Sequence, residues 1–229
     1  MTLPLLLSVP HAGLQVPDDV VDFCILGEED IRRDSDEGAA EIYLPLRKDV
    51  AALITTDVAR AIVDMNRGET DRRRDGVIKT HTCWDVPIYR QPPSEALVRA
   101  LIKRYHRPYH LKLSRHAAGK KLGLDCHTMA AVGPPVGPDP GQKRPRICLS
   151  NADGTCPQAW VKSLSEYLAE GFGSEIEINH PFKGGYIIRS HAKELPWIQL
   201  EFSRENFWGL EEKGLRLLHA LKTWCAHER

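Results

Sequence analysis

An aspartate and a histidine lie two residues apart in Asp125-Cys126-His127, at the end of a short apolar run. Side chains alternate between the two faces of an extended strand, so Asp125 and His127 project from the same face. A histidine that does chemistry needs a partner to fix its tautomer, and an acid in this position supplies one. Cys126 projects from the opposite face, which argues against a cysteine nucleophile. Whether the pair does more than form a hydrogen bond depends on the groups that the fold brings beside it.

Other histidines and acids lie at or beside the ends of predicted strands. His11 follows a continuous apolar run, and Glu201 lies on the polar face of an alternating segment. Asp34 and Asp36 lie in an irregular turn of a helical segment. Two histidines and one carboxylate that leave one position open are the ligand set of a catalytic zinc, and a further glutamate can take a proton from the attacking water. These residues predict a zinc site in which either Asp34 or Asp36 is the acid ligand.

Predicted strands and helices alternate along the chain. The strands cover residues 5–9, 51–56, 58–63, 76–79, 122–129, 146–149, 176–178, 186–189 and 197–202. The helices cover residues 28–48 with a turn at 34–38, 94–111 with a bend near Pro108, 157–169 and 208–225. This order predicts one three-layer α/β/α domain over residues 1–229, with a mixed, largely parallel sheet. Such sheets bind ligands at the carboxyl ends of their strands, where the loop over residues 130–144 is expected to wall a pocket.

Composition argues against several classes of function. The 229 residues carry a formal net charge of zero and no long basic block, which argues against nucleic acid or an anionic membrane as a partner. No apolar stretch approaches the roughly 20 residues that a membrane helix requires. Residues 3–9 are too short for a signal peptide, and the six cysteines show no C-x-x-C spacing, so we expect a reducing cytoplasm. The chain also lacks a G-x-x-x-x-G-K-[ST] loop and a G-x-S-x-G elbow, which argues against nucleotide binding and against a serine hydrolase.

Six motifs, in order along the chain, resemble those of the N-formylglutamate amidohydrolase family. They are Val9-Pro10-His11-Ala12-Gly13, Asp64-Met65-Asn66-Arg67, Pro108-Tyr109-His110, Asp125-Cys126-His127-Thr128-Met129, Pro181-Phe182-Lys183-Gly184-Gly185-Tyr186 and Leu200-Glu201-Phe202-Ser203-Arg204. The resemblance covers the chain from about residue 5 to residue 208. That family is similar in fold to the zinc carboxypeptidases and to aspartoacylase, so the resemblance implies the same architecture.

The resemblance also implies roles for individual residues. It implies zinc ligands at His11 and His127, with Glu201 as the general base. It further implies that Asn66 and Arg67 together hold a carboxylate of the substrate. Outside this set, Arg189 is a second candidate for that carboxylate, and its alternative is an ion pair with a surface acid.

The acid ligand is assigned from a different segment. The relatives of the family use a His-x-x-Glu pair, whereas the third residue after His11 is Leu14. The ligand must therefore come from elsewhere in the chain. The family carries an acid shortly before a Leu-Tyr segment, which Ile42-Tyr43 matches here. On that resemblance we assign Asp36 as the ligand, with Asp34 as the alternative.

Together these expectations describe a cytoplasmic, zinc-dependent amidohydrolase of amino-acid degradation. Its substrate is expected to be a small N-acyl amino acid, with N-formyl-L-glutamate, cleaved to formate and L-glutamate, as the first choice. One alternative keeps the mechanism and takes another N-acyl amino acid or a peptide end. The other is a non-catalytic carboxylate-binding protein on the same scaffold, which Glu201 argues against because a pure binder needs no base. The sequence does not specify the oligomeric state.

Overall fold

A six-stranded sheet organises the protein, of which the computed structural model describes residues 2–228. The strands are β1 (Leu3–Val9), β2 (Val50–Thr55), β3 (Leu122–Met129), β4 (Ile147–Ser150), β5 (Glu177–Ile178) and β6 (Trp197–Ser203). Their order across the sheet is β2-β1-β3-β6-β4-β5. Strands β2, β1, β3 and β6 are parallel, β4 is antiparallel to β6, and β5 is parallel to β4. The prediction of a mixed, largely parallel sheet is confirmed.

Seven α-helices are assigned in the described residues. They are α1 (Glu28–Asp34), α2 (Ala39–Tyr43), α3 (Glu95–Leu101), α4 (Arg107–Ala117), α5 (Gln158–Phe172), α6 (Tyr186–His191) and α7 (Leu210–His227). A 3₁₀ turn, Leu44–Lys48, follows α2, and a π-helical turn, Ile102–His106, joins α3 to α4. Within residues 2–228, none of the helices combines the length and the apolar composition needed to cross a membrane.

Both faces of the sheet are buried under helices. On β1, Leu5 and Leu7 belong to one hydrophobic cluster with residues of α2, α5 and α7, whereas Leu6 belongs to a second cluster with residues of α3, α4 and α6. Neighbouring residues of a strand point to opposite faces, so the two clusters lie on opposite sides of the sheet. Strands that are apolar throughout are typical of parallel sheets covered on both sides. The three-layer α/β/α prediction is therefore confirmed.

Three of the predicted strands are wrong. Residues 58–63 form a bridge and turns, residues 76–79 form bends, and residues 186–189 belong to helix α6. Each of these segments is a short apolar run that is buried, as Ile62, Val77 and Ile187 show with no exposed surface. Periodicity cannot separate a buried strand from a buried turn or helix over so few residues.

The helix predicted to start after Ser94 has the expected cap and the expected irregularity. The Ser94 hydroxyl accepts a hydrogen bond from the backbone N–H of Leu97 at 3.3 Å, as an N-cap does. The π-helical turn ends at His106, two residues before Pro108. Proline has no N–H to donate to the carbonyl four residues earlier, so the regular ladder is interrupted there. His106, at the end of this turn, and His110, on α4, both face the segment that carries Asn66.

Candidate functional site

The carboxyl ends of β1, β3 and β6 border one cavity of about 680 Å³. His11 lies in the turn after β1, His127 lies on β3, and Glu201 lies on β6 directly beside His127 in the sheet register. All three side chains border the cavity. Adjacent parallel strands thus bring together the residues that are far apart in sequence, at the edge where open α/β sheets bind their ligands.

Asp36 joins the two histidines and Asp34 does not. The Oδ2 atom of Asp36 lies 2.8 Å from Nδ1 of His127 and 3.4 Å from Nδ1 of His11. His11, Asp36 and His127 each offer one ligand atom, and these atoms all lie within 4.8 Å of one another in a buried group. Asp34 instead accepts hydrogen bonds from the ammonium of Lys79 at 2.9 Å and from the backbone N–H of Cys83 at 2.7 Å.

In each imidazole, Nε2 is hydrogen-bonded to a carboxylate. Nε2 of His11 lies 2.9 Å from Oδ1 of Asp64, and Nε2 of His127 lies 2.9 Å from Oδ2 of Asp125. A carboxylate only accepts hydrogen bonds, so each Nε2 carries a hydrogen. Nδ1 of His127 donates to Asp36 as well, which makes that ring an imidazolium, whereas Nδ1 of His11 has no hydrogen-bond partner in residues 2–228. Both Nδ1 atoms face Asp36, so a bound metal ion would take the place of the proton on His127, and this is how carboxylate partners orient metal-binding histidines.

The donor atoms of this group fit a metal ion. Nδ1 of His11 is buried and has no hydrogen-bond partner among the described residues. Leaving such an atom unpaired costs about 1–3 kcal/mol, which a bound cation removes. The electrostatics point the same way. Burial opposes a charge on His127, but the carboxylates of Asp125 and Glu201 raise its pKa well above the usual value. The group thus favours a positive charge among its donor atoms, and two imidazoles with one carboxylate are ligands that bind divalent metals.

Glu201 is buried in the wall of the cavity. Its side chain accepts a hydrogen bond from Nε2 of Gln199 at 2.8 Å, and within residues 2–228 it forms no ion pair. Burial raises the pKa of Glu201 to about 7, although the neighbouring His127 opposes the shift. A carboxylate with a pKa near 7 can both take up and release a proton at neutral pH.

Asn66 and Arg67 lie in the cavity wall but in different environments. Nδ2 of Asn66 donates to Oδ2 of Asp125 at 3.2 Å, and its Oδ1 accepts the backbone N–H of Ile187 at 2.8 Å. Asn66 is buried, and a Cβ on Gly185 would lie 2.3 Å from its Nδ2, so glycine is needed at that position. Arg67 is half-buried and binds the backbone oxygen of Asp75 at 3.0 Å through Nε. Asn66 therefore contacts the residues that hold His127, while Arg67 is the more open of the two.

Arg189 does not border the cavity. It is exposed on α6, and its guanidinium donates to the backbone oxygens of Lys183 and Gly184, both at 3.3 Å. Residues 186–189 form a helix, and the side chain turns back onto the preceding loop. A role for Arg189 in binding a substrate carboxylate stays a prediction.

Two cations beside the candidate ligands, Arg60 and Lys79, were not predicted from the sequence. Arg60 lies 3.4 Å from Oδ1 of Asp36 and 3.3 Å from Oδ2 of Asp64. Lys79 is 1% exposed and pairs with Asp34. Burial alone would raise the pKa of Asp34, but Lys79 and Arg60 lower it below its usual value. Only the spacing of four residues between Arg60 and Asp64 is a local signal, and it is typical of a helix rather than of this turn.

The loop over residues 130–144 contributes to the cavity wall through Pro134, Val136 and Arg144. Arg144 forms two hydrogen bonds of 2.7 Å with the carboxylate of Asp139, and its guanidinium lies 4.8 Å from the ring of Phe182. The four prolines of the loop and this ion pair restrict its backbone. The expected position of the loop beside the site agrees with the structure.

Comparison with known proteins gives consistent matches over nearly the whole chain. The model of the N-formylglutamate amidohydrolase family matches residues 3–208. An N-formylglutamate deformylase of Pseudomonas putida is 27% identical over 224 residues, which are 90% of this chain and 82% of that protein. The crystal structure of an N-formylglutamate amidohydrolase from Ralstonia eutropha JMP134 superimposes with a TM-score of 0.77 at 23% identity, covering 97% of this chain and 94% of the other. A protein of Agrobacterium tumefaciens has the same TM-score at 16% identity, covering 99% and 90%.

Proposed function

Because this chain belongs to the N-formylglutamate amidohydrolase family, we propose that it hydrolyses N-formyl-L-glutamate to formate and L-glutamate. The observation that carries the proposal is the buried carboxylate of Glu201 beside the converging donor atoms of His11, Asp36 and His127. A base next to a group that fits a metal is the arrangement that hydrolysis of an amide requires.

We propose zinc as the metal, held by Nδ1 of His11, Nδ1 of His127 and a carboxylate oxygen of Asp36. Two nitrogen ligands and one oxygen ligand that leave a position open are typical of catalytic zinc. When bound, zinc supplies a Lewis acid that polarises the formyl group and favours ionisation of water. Asp64 and Asp125 keep the two imidazoles in the tautomer that this role needs.

Glu201 moves the proton in the proposed reaction. It takes a proton from the attacking water as the water oxygen bonds to the formyl carbon. It then gives that proton to the amine nitrogen as the carbon–nitrogen bond breaks, so formate and L-glutamate leave. A pKa near 7 suits both steps, and the hydrogen bond from Gln199 fixes the carboxylate for them.

The charge of the cavity wall suits a substrate with two carboxylates. Several cations border it, namely Arg33, Arg60, Arg67, Arg73, Lys79, Arg144, Lys183 and Arg204. Many of them are paired with acids, among them Arg60, Lys79 and Arg144. Arg67 pairs with Asp75 at 3.3 Å, but both of these side chains are only partly buried. We propose that Arg67 binds a substrate carboxylate, since its planar guanidinium can form two parallel hydrogen bonds. Asn66, which is buried against Asp125, holds the site rather than the substrate in this proposal.

Replacing Arg67 with lysine should weaken substrate binding more than turnover. Lysine keeps the charge but loses the planar pair of donors, so we expect KM for N-formyl-L-glutamate to rise about 10-fold or more with kcat nearly unchanged. Arg104→Lys is the matched control, because Arg104 is also paired with an acid, Asp19, and does not border the cavity. Steady-state kinetics that show the same KM in both variants would remove Arg67 from the site.

A hydrolysis screen with metal-loaded protein tests the proposed function directly. We expect formate release from N-formyl-L-glutamate, slower release from N-formyl-L-glutamine, whose side chain is neutral, and slower acetate release from N-acetyl-L-glutamate. Preference for the acetyl compound would favour another N-acyl substrate on the same mechanism. Metal binding without hydrolysis of any of the three would favour a carboxylate-binding protein instead.

We also propose a cytoplasmic location. All six cysteines are free thiols in the structure, and three of them, Cys126, Cys148 and Cys156, are buried. Free thiols persist in a reducing compartment, whereas exported proteins commonly oxidise them to disulfides.

A further inference from the structure

Three histidines pack together against the turn that carries Asn66 and Arg67. They are His106 at the end of the π-helical turn, His110 on α4 and His191 at the end of α6. The ring centroids of His106 and His110 are 4.3 Å apart, and those of His110 and His191 are 5.2 Å apart with the rings almost parallel. None of the three borders the cavity, and the proposed reaction does not use them.

Two of these imidazoles bind main-chain oxygens of the turn. Nε2 of His106 lies 2.8 Å from the backbone oxygen of Arg67, and Nε2 of His110 lies 2.9 Å from that of Met65. A carbonyl oxygen only accepts, so both Nε2 atoms carry hydrogen. The two histidines therefore hold the residue before Asn66 and the residue after it.

The third histidine fixes the tautomer of His110. With hydrogen on its Nε2, neutral His110 can only accept at Nδ1, so Nε2 of His191 donates to it across 2.9 Å. Nδ1 of His191 donates to the carboxylate of Glu194 at 2.9 Å, so this ring carries hydrogen on both nitrogens and pairs with Glu194 as a cation. The hydroxyl of Ser114 donates to the same carboxylate at 2.8 Å. A continuous chain of hydrogen bonds thus runs from Glu194 to the backbone oxygen of Met65.

Neutral imidazoles suit this supporting role. Burial, with help from the neighbouring His106 and His191, lowers the pKa of His110 to about 3. Burial also lowers the pKa of His106 below its usual value. Both rings stay neutral at physiological pH, so each keeps one fixed donor toward the backbone oxygen that it holds.

The turn connects the two candidate metal-binding histidines. The backbone N–H of Asn66 donates to Oδ1 of Asp64 at 2.8 Å, and the same oxygen accepts from Nε2 of His11. The side chain of Asn66 donates to Asp125, which holds His127. A shift of this turn therefore disturbs the partners of both imidazoles at once.

We infer that His106 and His110 are positioning residues for the reaction, which fix the Met65–Arg67 turn through its backbone oxygens and thereby hold Asn66 and Arg67 in place. The inference rests on the proposed function for its kinetic consequence. The structural part of the inference, that the two histidines hold the turn in place, does not depend on which substrate the protein hydrolyses.

Variants at His110 test the inference kinetically. His110→Phe keeps an aromatic ring but removes the donor, and we expect kcat/KM for N-formyl-L-glutamate to fall about 10-fold or more. His110→Gln supplies an amide donor and should recover part of that loss. His116→Phe is the matched control on the same helix, since His116 is exposed and, among the described residues, hydrogen-bonds just to the backbone oxygen of Lys112 in its own helix. A double-mutant cycle with Asn66→Ala should be non-additive, because both changes act on one turn.

Amide hydrogen exchange tests, without any substrate, whether the two histidines hold the turn in place. The amide of Ile187, whose acceptor is Oδ1 of Asn66, should exchange about tenfold faster in His110→Phe, whereas amides of α5 and α7 should be unchanged. If His110→Phe does not fold, His106→Phe and His110→Gln provide the same comparison. Unchanged exchange at Ile187 together with unchanged kcat/KM would overturn the inference. Wild-type protein that fails to hydrolyse N-formyl-L-glutamate would refute the proposed function alone, since the exchange result still decides whether the histidines support the turn.

Discussion

Replacing Glu201 with glutamine should lower kcat by about 10²–10⁴ while the metal content of the protein stays the same. Glutamine has nearly the same shape and can still accept the hydrogen bond from Gln199, but it cannot take a proton from water. The fold should be kept, because the removed charge has no ion-pair partner in the described residues. Steady-state kinetics, elemental analysis and thermal unfolding of the same preparation measure the three quantities.

A structural role for Glu201 would give the opposite result. That structural role would be an ion pair with Arg204 or Arg189. In the structure, Arg204 donates to the backbone oxygens of Ser35 and Arg33, and Arg189 to those of the Lys183 loop. Glu205→Gln is the control, since Glu205 follows β6 closely and lies outside the cavity. A lower melting temperature with nearly intact turnover in Glu201→Gln would exclude the proposed base, and loss of metal would mean that Glu201 is a ligand.

The location of the site could be predicted because it depends on strand ends. Apolar runs and alternation identify the segments that carry His11, His127 and Glu201, and the geometry of parallel sheets then brings their carboxyl ends together. These features are local in sequence or follow from a general rule of packing. The same reasoning fails for the strand predicted over residues 186–189, because two adjacent buried isoleucines, Ile187 and Ile188, fit a short helix as well as a strand.

The ion pairs around the site could not be predicted in the same way. Lys79 and Asp34 are 45 residues apart, and neither lies in a pattern that links them. The support of the Asn66 turn by His106 and His110 depends on where α4 packs, which no local period specifies. Such contacts depend on tertiary packing. A lysine in a short apolar run is predicted to be a surface residue unless its buried partner is known.

Asp34 and Asp36 are two residues apart, and their replacement by asparagine should have contrasting effects. Asp36→Asn removes a carboxylate that lies between the two imidazoles. Loss of a hydrogen bond that only supports a metal ligand lowers metal affinity about 10–100-fold, and we expect zinc affinity to fall by more than that here. Hydrolysis should be lost with the metal. Asp34→Asn should retain zinc but lose about 3–5 kcal/mol of unfolding free energy, because the buried ammonium of Lys79 loses its closest acid.

Calorimetric zinc titration and denaturant unfolding of both variants separate these two roles. The contrast is sharp because the two side chains are equally buried, and only their partners differ: Asp36 faces His11 and His127, whereas Asp34 faces Lys79. Burial alone would raise the pKa of Asp36, but the two histidines hold it well below its usual value, so the carboxylate is available as a ligand at neutral pH. Zinc lost from Asp34→Asn and retained by Asp36→Asn would reverse the assignment. Zinc retained at full affinity by both variants would mean that neither aspartate is a ligand and that the metal depends on a different acid.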